Sequence, residues 1–359
     1  MNLKLKKLTI ATAAAFAMGA AGQAQSSDLL FPYVVVSETV TTIVSVINTG
    51  DIGENLAHRL HYRLWYKNGP NAENNLARCE EVNLVLPTSY NDIQTIDLGD
   101  RIDNYRGVMF DDPSVNNNWQ AAQFPYSLAG NLDLPVRGYL IVDDQIVPNP
   151  QDSEEILLQG EAMIFEYGSG AAWGYQAGAV YSDDEGGDFR DRDPEDGVGV
   201  SFTDGAPATA NVAIMPFDEV TTRFFVTPLV EDMRTGNNFF APGEEARARL
   251  TFGAAGETAV FDRDENPISG NVNQEVVCVG AVDAGQMLSQ GARNLFSPTG
   301  GWGPLNVQGR IIEDGLFNVR EDSVGAAVIK LDFNDGSSSF AGASMGVFNN
   351  AFLLRGVDQ

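Results

Sequence analysis

Residues 29–48 read LLFPYVVVSETVTTIVSVIN. Two apolar runs rich in Val, Ile and Thr are broken only at Ser37-Glu38. β-branched side chains lose little freedom on a pleated surface and pack well there, so the stretch predicts two strands. In the second, Thr42, Val44 and Val46 alternate with Ile43, Ser45 and Ile47. Asn48-Thr49-Gly50-Asp51 follows, and Asn, Gly and Asp tolerate the bent backbone of a turn. Residues 60–67 alternate again, with Leu60, Tyr62, Leu64 and Tyr66 on one face and His61, Arg63 and Trp65 on the other. Asn68-Gly69-Pro70 ends that strand.

Upstream lies MNLKLKKLTIATAAAFAMGAAGQAQ. A basic start at Lys4, Lys6 and Lys7, a short apolar run and small residues at Gly22 and Ala24 predict a signal peptide over residues 1–24. The run is short for a bilayer span, and the remaining chain shows no second long apolar run. Removing residues 1–24 takes away three Lys and no acid, so the formal charge moves from −27 to −30. Nucleic acid and anionic lipid bind through Lys and Arg, so both are excluded as general partners. Hydrophobic residues make up 43% of the chain, enough for folded cores. The chain has two cysteines, Cys79 and Cys278, and an oxidising compartment favours one bond between them.

Further strands are expected at residues 137–143, 161–167 and 174–181, with residues 100–135 a long irregular loop. Ser153 opens one short helical turn in this reading. Residues 182–197 hold eight acids, two Arg and no aliphatic side chain, so nothing there is cheap to bury. The second half repeats landmarks of the first. Thr221-Thr222 parallels Thr41-Thr42, and the Cys278 strand parallels the strand after Cys79. Gly325-x-Ala327-x-Ile329 parallels Gly160-x-Ala162-x-Ile164, and Gly346 to Phe348 parallels Gly178 to Tyr181. The organisation expected is therefore all-β: two immunoglobulin-like or jelly-roll-like sandwiches related by duplication. They span residues 25–181 and 211–359, with an acidic linker over 182–210.

The strand, Asn48–Asp51 turn and aromatic strand ending in Asn68-Gly69 resemble the early strands of immunoglobulin-like sandwiches in bacterial surface proteins. The LLFPYV…INTG start also resembles a group of uncharacterised secreted bacterial β-proteins. That resemblance implies export and a β-rich fold, and no activity.

Chemistry is sparse. His58 and His61 point to opposite faces of a strand, which argues against shared metal coordination. HExxH and phosphate-binding glycine loops are missing. Calcium is the cation that the oxygen-rich stretches would take. Asp183, Asp184, Asp188, Asp191 and Asp193 form one group, but Gly197 falls one place late for an EF-hand loop. Asp262, Asp264 and Glu265 form the other, similar to the calcium linker of cadherin-like domains but with Asp and Glu replacing inner Asn and Asp. A solvated acidic turn is the plainer reading at both places. Trp119, Trp173 and Trp302 are expected in loops, as core lids or as platforms for a sugar ring.

The function expected is an exported, non-catalytic surface, matrix or adhesion protein, periplasmic, extracellular or at the cell surface. The competitor is a secreted or periplasmic carbohydrate-binding protein, and third comes a secreted hydrolase with an unidentified carboxylate pair. Self-association would use sheet edges: an N-terminal strand left at an edge offers unpaired N–H and C=O groups to another copy.

Overall fold

The computed structural model describes residues 28–49, 58–99, 108–110, 132–144, 157–167, 171–182, 198–199, 208–229, 245–253, 259–313, 316–318, 325–334 and 347–354. The expected signal peptide, the expected loop around Trp119, the expected helical turn at Ser153 and the acids at 183–197 lie outside these residues. Contacts divide the chain into two units. Among the described residues, unit 1 takes those up to 199 except Glu73–Arg78, and unit 2 takes Glu73–Arg78 with those from 208 onward.

Unit 1 contains β1 (Asp28–Val36), β2 (Val40–Asn48), β3 (His58–Asn68), β4 (Glu80–Thr88), β5 (Ile93–Asp97), β6 (Val108–Phe110), β7 (Val136–Asp144), β8 (Leu158–Glu166), β9 (Ala171–Gln176), β10 (Gly178–Ser182) and β11 (Val198–Gly199). One sheet runs β11-β10-β1-β7-β3-β4 and the other β6-β5-β2-β8-β9. The opening stretch is indeed two strands, one in each sheet, and the break at Ser37 is where the chain changes sheet. The sheets close on an apolar core. A Cβ on Gly160 of β8 would lie 2.6 Å from the Phe31 ring and 2.8 Å from Leu29, both on β1. Tyr62 of β3 donates across the core to Gln94 Oε1 of β5 at 2.7 Å.

Strand β1 is not a free edge. Asp28, Leu29 and Leu30 pair with β10, and the strand pairs with β7 along its other side. The chain thus supplies for that half the partner that the sequence left open. The edge at β4 carries exposed Glu80 and Glu81 together with Pro87, features that discourage a further strand from adding.

Unit 2 contains β12 (Thr209–Ile214), β13 (Thr221–Leu229), β14 (Glu245–Phe252), β15 (Val260–Asp262), β16 (Pro267–Ile268), β17 (Gln274–Val277), β18 (Gly280–Asp283), β19 (Gly301–Glu313), β20 (Leu316–Asn318), β21 (Gly325–Phe333) and β22 (Val347–Leu354). A short helix, α1 (Gln290–Phe296), is capped by the Ser289 hydroxyl, which accepts from Ala292 N. One core joins Val212, Leu250, Val276, Leu305 and Val307 of β12, β14, β17 and β19 to Phe224, Val226, Val282 and Val328 of β13, β18 and β21. Phe224 meets Phe252 edge-on at 6.1 Å.

The two units share one connectivity. In unit 1 the common strands lie in the orders β1-β7-β3-β4 and β5-β2-β8-β9. In unit 2 they lie in the orders β12-β19-β14-β17 and β18-β13-β21-β22. Counted along the chain, both are first-sixth-third-fourth and fifth-second-seventh-eighth. Second-with-fifth and third-with-sixth are the central pairs of the immunoglobulin sandwich, but here the first strand joins the sixth.

The Thr-Thr landmarks occupy the same corner in both units. Val35 N donates to Thr42 Oγ1 at 2.9 Å, and Met215 N donates to Thr222 Oγ1 at 3.2 Å, seven residues back in each case. Phe165 faces Thr41 and Phe333 faces Thr221. The other landmarks shift. Ile164 faces Thr42 but Asp332 faces Thr222, so by register Ile164 corresponds to Asp332 and not to Ile329. Gly178 to Tyr181 belongs to β10, whereas Phe348 belongs to β22, the counterpart of β9. Cys79 precedes β4, while Cys278 follows β17.

Two expected strands are each split. Residues 174–181 divide between β9 and β10, and the Cys278 strand divides into β17 and β18. In both places the halves join different sheets. An alternation pattern continues through such a corner and does not register the change of partner.

Candidate polar cluster on the β3–β7 face

Strands β3 and β7 pair His61 with Asp143, Arg63 with Ile141, Trp65 with Tyr139 and Lys67 with Arg137, so these residues share a face. It is the face opposite Leu60, Tyr62 and Leu64. A charged, aromatic row such as this predicts solvent, yet Trp65 and Tyr139 are fully buried and Lys67 is 2% exposed. The sheet is therefore buried on both faces along its centre.

The charges are arranged around Asp143. Arg63 Nη2 donates to Asp143 Oδ2, and His61 Nδ1 lies 3.5 Å from Asp143 Oδ1. The other ring nitrogen, Nε2, is 2.9 Å from Asn83 Oδ1 on β4. Burial alone pushes the Asp143 carboxyl upward, but the hydrogen bond from His61 and the charge of Arg63 outweigh it and hold the group below its ordinary value. The Arg63 guanidinium also lies 5.7 Å from the centre of the Trp65 ring, which stacks on Tyr139 at 5.0 Å and 21°. Burial, reinforced by the charge of Glu81, pushes the Tyr139 phenol strongly upward despite Arg63, so it stays a hydroxyl. Trp65 Nε1, Tyr139 Oη and Arg63 Nε are buried donors without a hydrogen-bond partner among the described residues.

A histidine beside a buried aspartate is the orienting half of a nucleophile–base pair. Here the nitrogen that would face a nucleophile is turned to Asn83, so the geometry braces three strands. It also makes stability depend on acid. A carboxyl with a depressed folded value contributes fully above its unfolded value and loses that contribution as pH falls through the folded one. Asp143 has an ordinary value of 3.8 and lies below it when folded, so its share is lost at pH below about 4. Urea midpoints measured between pH ~6 and pH ~3 should fall less steeply in Asp143→Asn than in the parent. Equal slopes would remove Asp143 from the acid response.

Cys79, Cys278, Trp173, Trp302, Asp262, Asp264 and Glu265, singled out from the sequence, are not members of this cluster. Cys79 and Cys278 are disulfide-bonded to each other. Trp173 is not in a loop: it sits on β9, stacked against Tyr33 at 6.3 Å and beside Tyr175 at 6.1 Å. The Tyr175 hydroxyl donates to the Tyr33 carbonyl, which ties this aromatic group to β1. Trp302 is not in a loop either. Strand β19 begins at Gly301, and Trp302 pairs with Ala213. Gly301 permits this because a Cβ there would lie 1.9 Å from the Phe261 carbonyl oxygen. Trp302 is 40% exposed and stacks on Phe261 at 4.7 Å and 15°.

Asp262, Asp264 and Glu265 form the turn between β15 and β16. The Asp262 carboxylate accepts from Asp264 N at 2.9 Å, Asn266 N at 2.8 Å and Asn266 Nδ2 at 2.9 Å. Those bonds from Asn266, with Asp264 N and nearby Arg263, hold its carboxyl below the ordinary value. Its oxygens therefore face N–H donors. Asp264 lies 3.6 Å from Arg263, both well exposed. Among the described residues no three His, Cys, Asp or Glu converge as metal ligands. Asp143, the acid on which the cluster centres, was not singled out from sequence. Its only signal is its place in an alternating strand, which does not reveal the neighbour.

No family model matches the chain, and no curated protein matches it. Among solved structures, the chain is similar to a Parabacteroides distasonis protein provisionally described as secreted. The match covers 89% of this chain and 86% of that one at 10% identity, with a TM-score of 0.17, a likeness too slight to bear on fold or function.

Proposed function

We propose that the chain is an exported, non-catalytic protein of the cell exterior, a surface, matrix or adhesion component built on a duplicated β-sandwich. The observation that carries this reading is the Cys79–Cys278 bond: both cysteines of the chain are paired, and such bonds persist in oxidising compartments. The basic and apolar run of residues 1–24 supports the same route. The shared strand order supports the duplication. Trp302, exposed and backed by Phe261, favours the second reading, a secreted carbohydrate-binding protein.

Fractionation of native cells tests the first reading. The protein is expected outside the inner membrane, without residues 1–24 and with the Cys79 and Cys278 peptides linked. Full-length protein in the cytoplasm with two alkylatable thiols would overturn it. Passing the exported protein over immobilised polysaccharides separates the two readings, because retention abolished by Trp302→Ala marks the carbohydrate binder.

A further inference from the structure

Between β17 and β18 the chain crosses from one sheet of unit 2 to the other in two residues, Cys278 and Val279. Val279 N donates to the Val277 carbonyl at 2.7 Å, with Cys278 between them at φ 61°. A three-residue turn with its central residue at positive φ is rare and strained, and a side chain with a Cβ is disfavoured there.

Asn75 grips both ends of this turn from a segment more than two hundred residues earlier. Its backbone carbonyl accepts from Val277 N at 2.8 Å. Its side-chain amide pairs with the backbone of Ala281 in both directions: Nδ2 donates to the carbonyl at 3.0 Å, and Ala281 N donates to Oδ1 at 3.1 Å. The fit depends on Gly280, where a Cβ would lie 2.5 Å from Asn75 Oδ1. Asn74 stiffens the segment by accepting from Leu76 N and Ala77 N. Leu76 itself is 49% exposed and provides no apolar anchor. Cys79, directly after this segment, is the residue bonded to the turn's tip.

We propose that the Cys79–Cys278 disulfide is the lock of a redox-sensitive latch, in which Glu73–Arg78 clasps the Cys278 turn and reduction releases it. This goes beyond the export reading and does not depend on the final compartment. The reductant is a dithiol. Its two S–H groups are oxidised to a disulfide, the Sγ–Sγ bond breaks, and each cysteine sulfur takes one proton. Cys278 is then free to leave its left-handed conformation, and non-covalent contacts hold a largely exposed segment more loosely than the bond did. Cys278 is not part of the unit 2 core cluster, so the sandwich itself stays closed. Both sulfur-bearing residues are buried, Cys278 fully and Cys79 to 5% exposure, so reduction is slow and follows opening of the turn.

Hydrogen exchange on the full chain, with and without dithiothreitol, tests the latch. After reduction the Val277 and Ala281 amides are expected to exchange at least about tenfold faster, and trypsin to cut after Arg78, while Phe225 of β13 and Val328 of β21 keep their protection. Cys79→Ser/Cys278→Ser provides the same reading if the buried bond resists the reagent. Unchanged exchange at Val277 and Ala281 with both thiols free would overturn the proposal. Loss of protection throughout β13 and β21 would also overturn it, showing a staple for the whole fold.

Discussion

Replacing Asp332 by alanine is expected to destabilise unit 2 by about 3–5 kcal/mol, the usual cost of removing one partner of a buried ion pair. Lys330 and Asp332 are each 4% exposed and pair side by side on the core face of β21. Thr222 donates to the free Asp332 oxygen at 2.6 Å and itself receives Met215 N. Without the carboxylate, the Lys330 ammonium loses the counter-charge beside it while staying 4% exposed. Unit 1 shows the apolar alternative. By register, the counterparts of Lys330 and Asp332 are Ala162 and Ile164, and Thr42 donates to the Val35 carbonyl instead. Lys330→Met/Asp332→Ile should therefore match or exceed the parent in urea, while Asp332→Ala alone falls far below it. A loss under about 1 kcal/mol for Asp332→Ala would mean that the pair is solvated.

Gly138→Ala is expected to destabilise unit 1 by about 3 kcal/mol or more, at the top of the range for overpacking. Gly138 lies on β7, between β1 and β3. A Cβ there would sit 2.2 Å from the Trp65 carbonyl oxygen and 3.2 Å from Tyr66 Cα. These are backbone atoms and cannot rotate aside, so relief requires parting β7 from β3. Gly178→Ala is the control, since among the described residues its Cβ would meet only the Leu30 carbonyl oxygen, at 3.9 Å. Thermal melts should show a large drop for the first variant and little change for the second. Equal melting temperatures would mean that the sheet yields at Gly138 without penalty.

The inner faces of the strands were legible because alternation is local. Leu60, Tyr62 and Leu64 turn to the core as their period of two requires, and Thr41-Thr42 and Thr221-Thr222 mark equivalent corners. Helix α1 was not read, because seven residues are too few for a helical period to stand out. The Ser289 cap was its available signal. Trp302 was placed in a loop because three glycines surround it. Gly301 instead lets β19 pass close to the Phe261 backbone.

Residue type and short-range spacing were enough for the β class, the alternating strands of the opening stretch and of residues 60–67, and the single cysteine pairing open to the chain. The assembled sheets, and not any local stretch, bring Asp143 to His61 and Arg63, β10 to Asp28–Leu30, and Asn75 to the Cys278 turn. Those neighbours are separated by tens to hundreds of residues. They are selected by the summed burial and hydrogen bonding of whole sheets, to which no single stretch of chain is a guide.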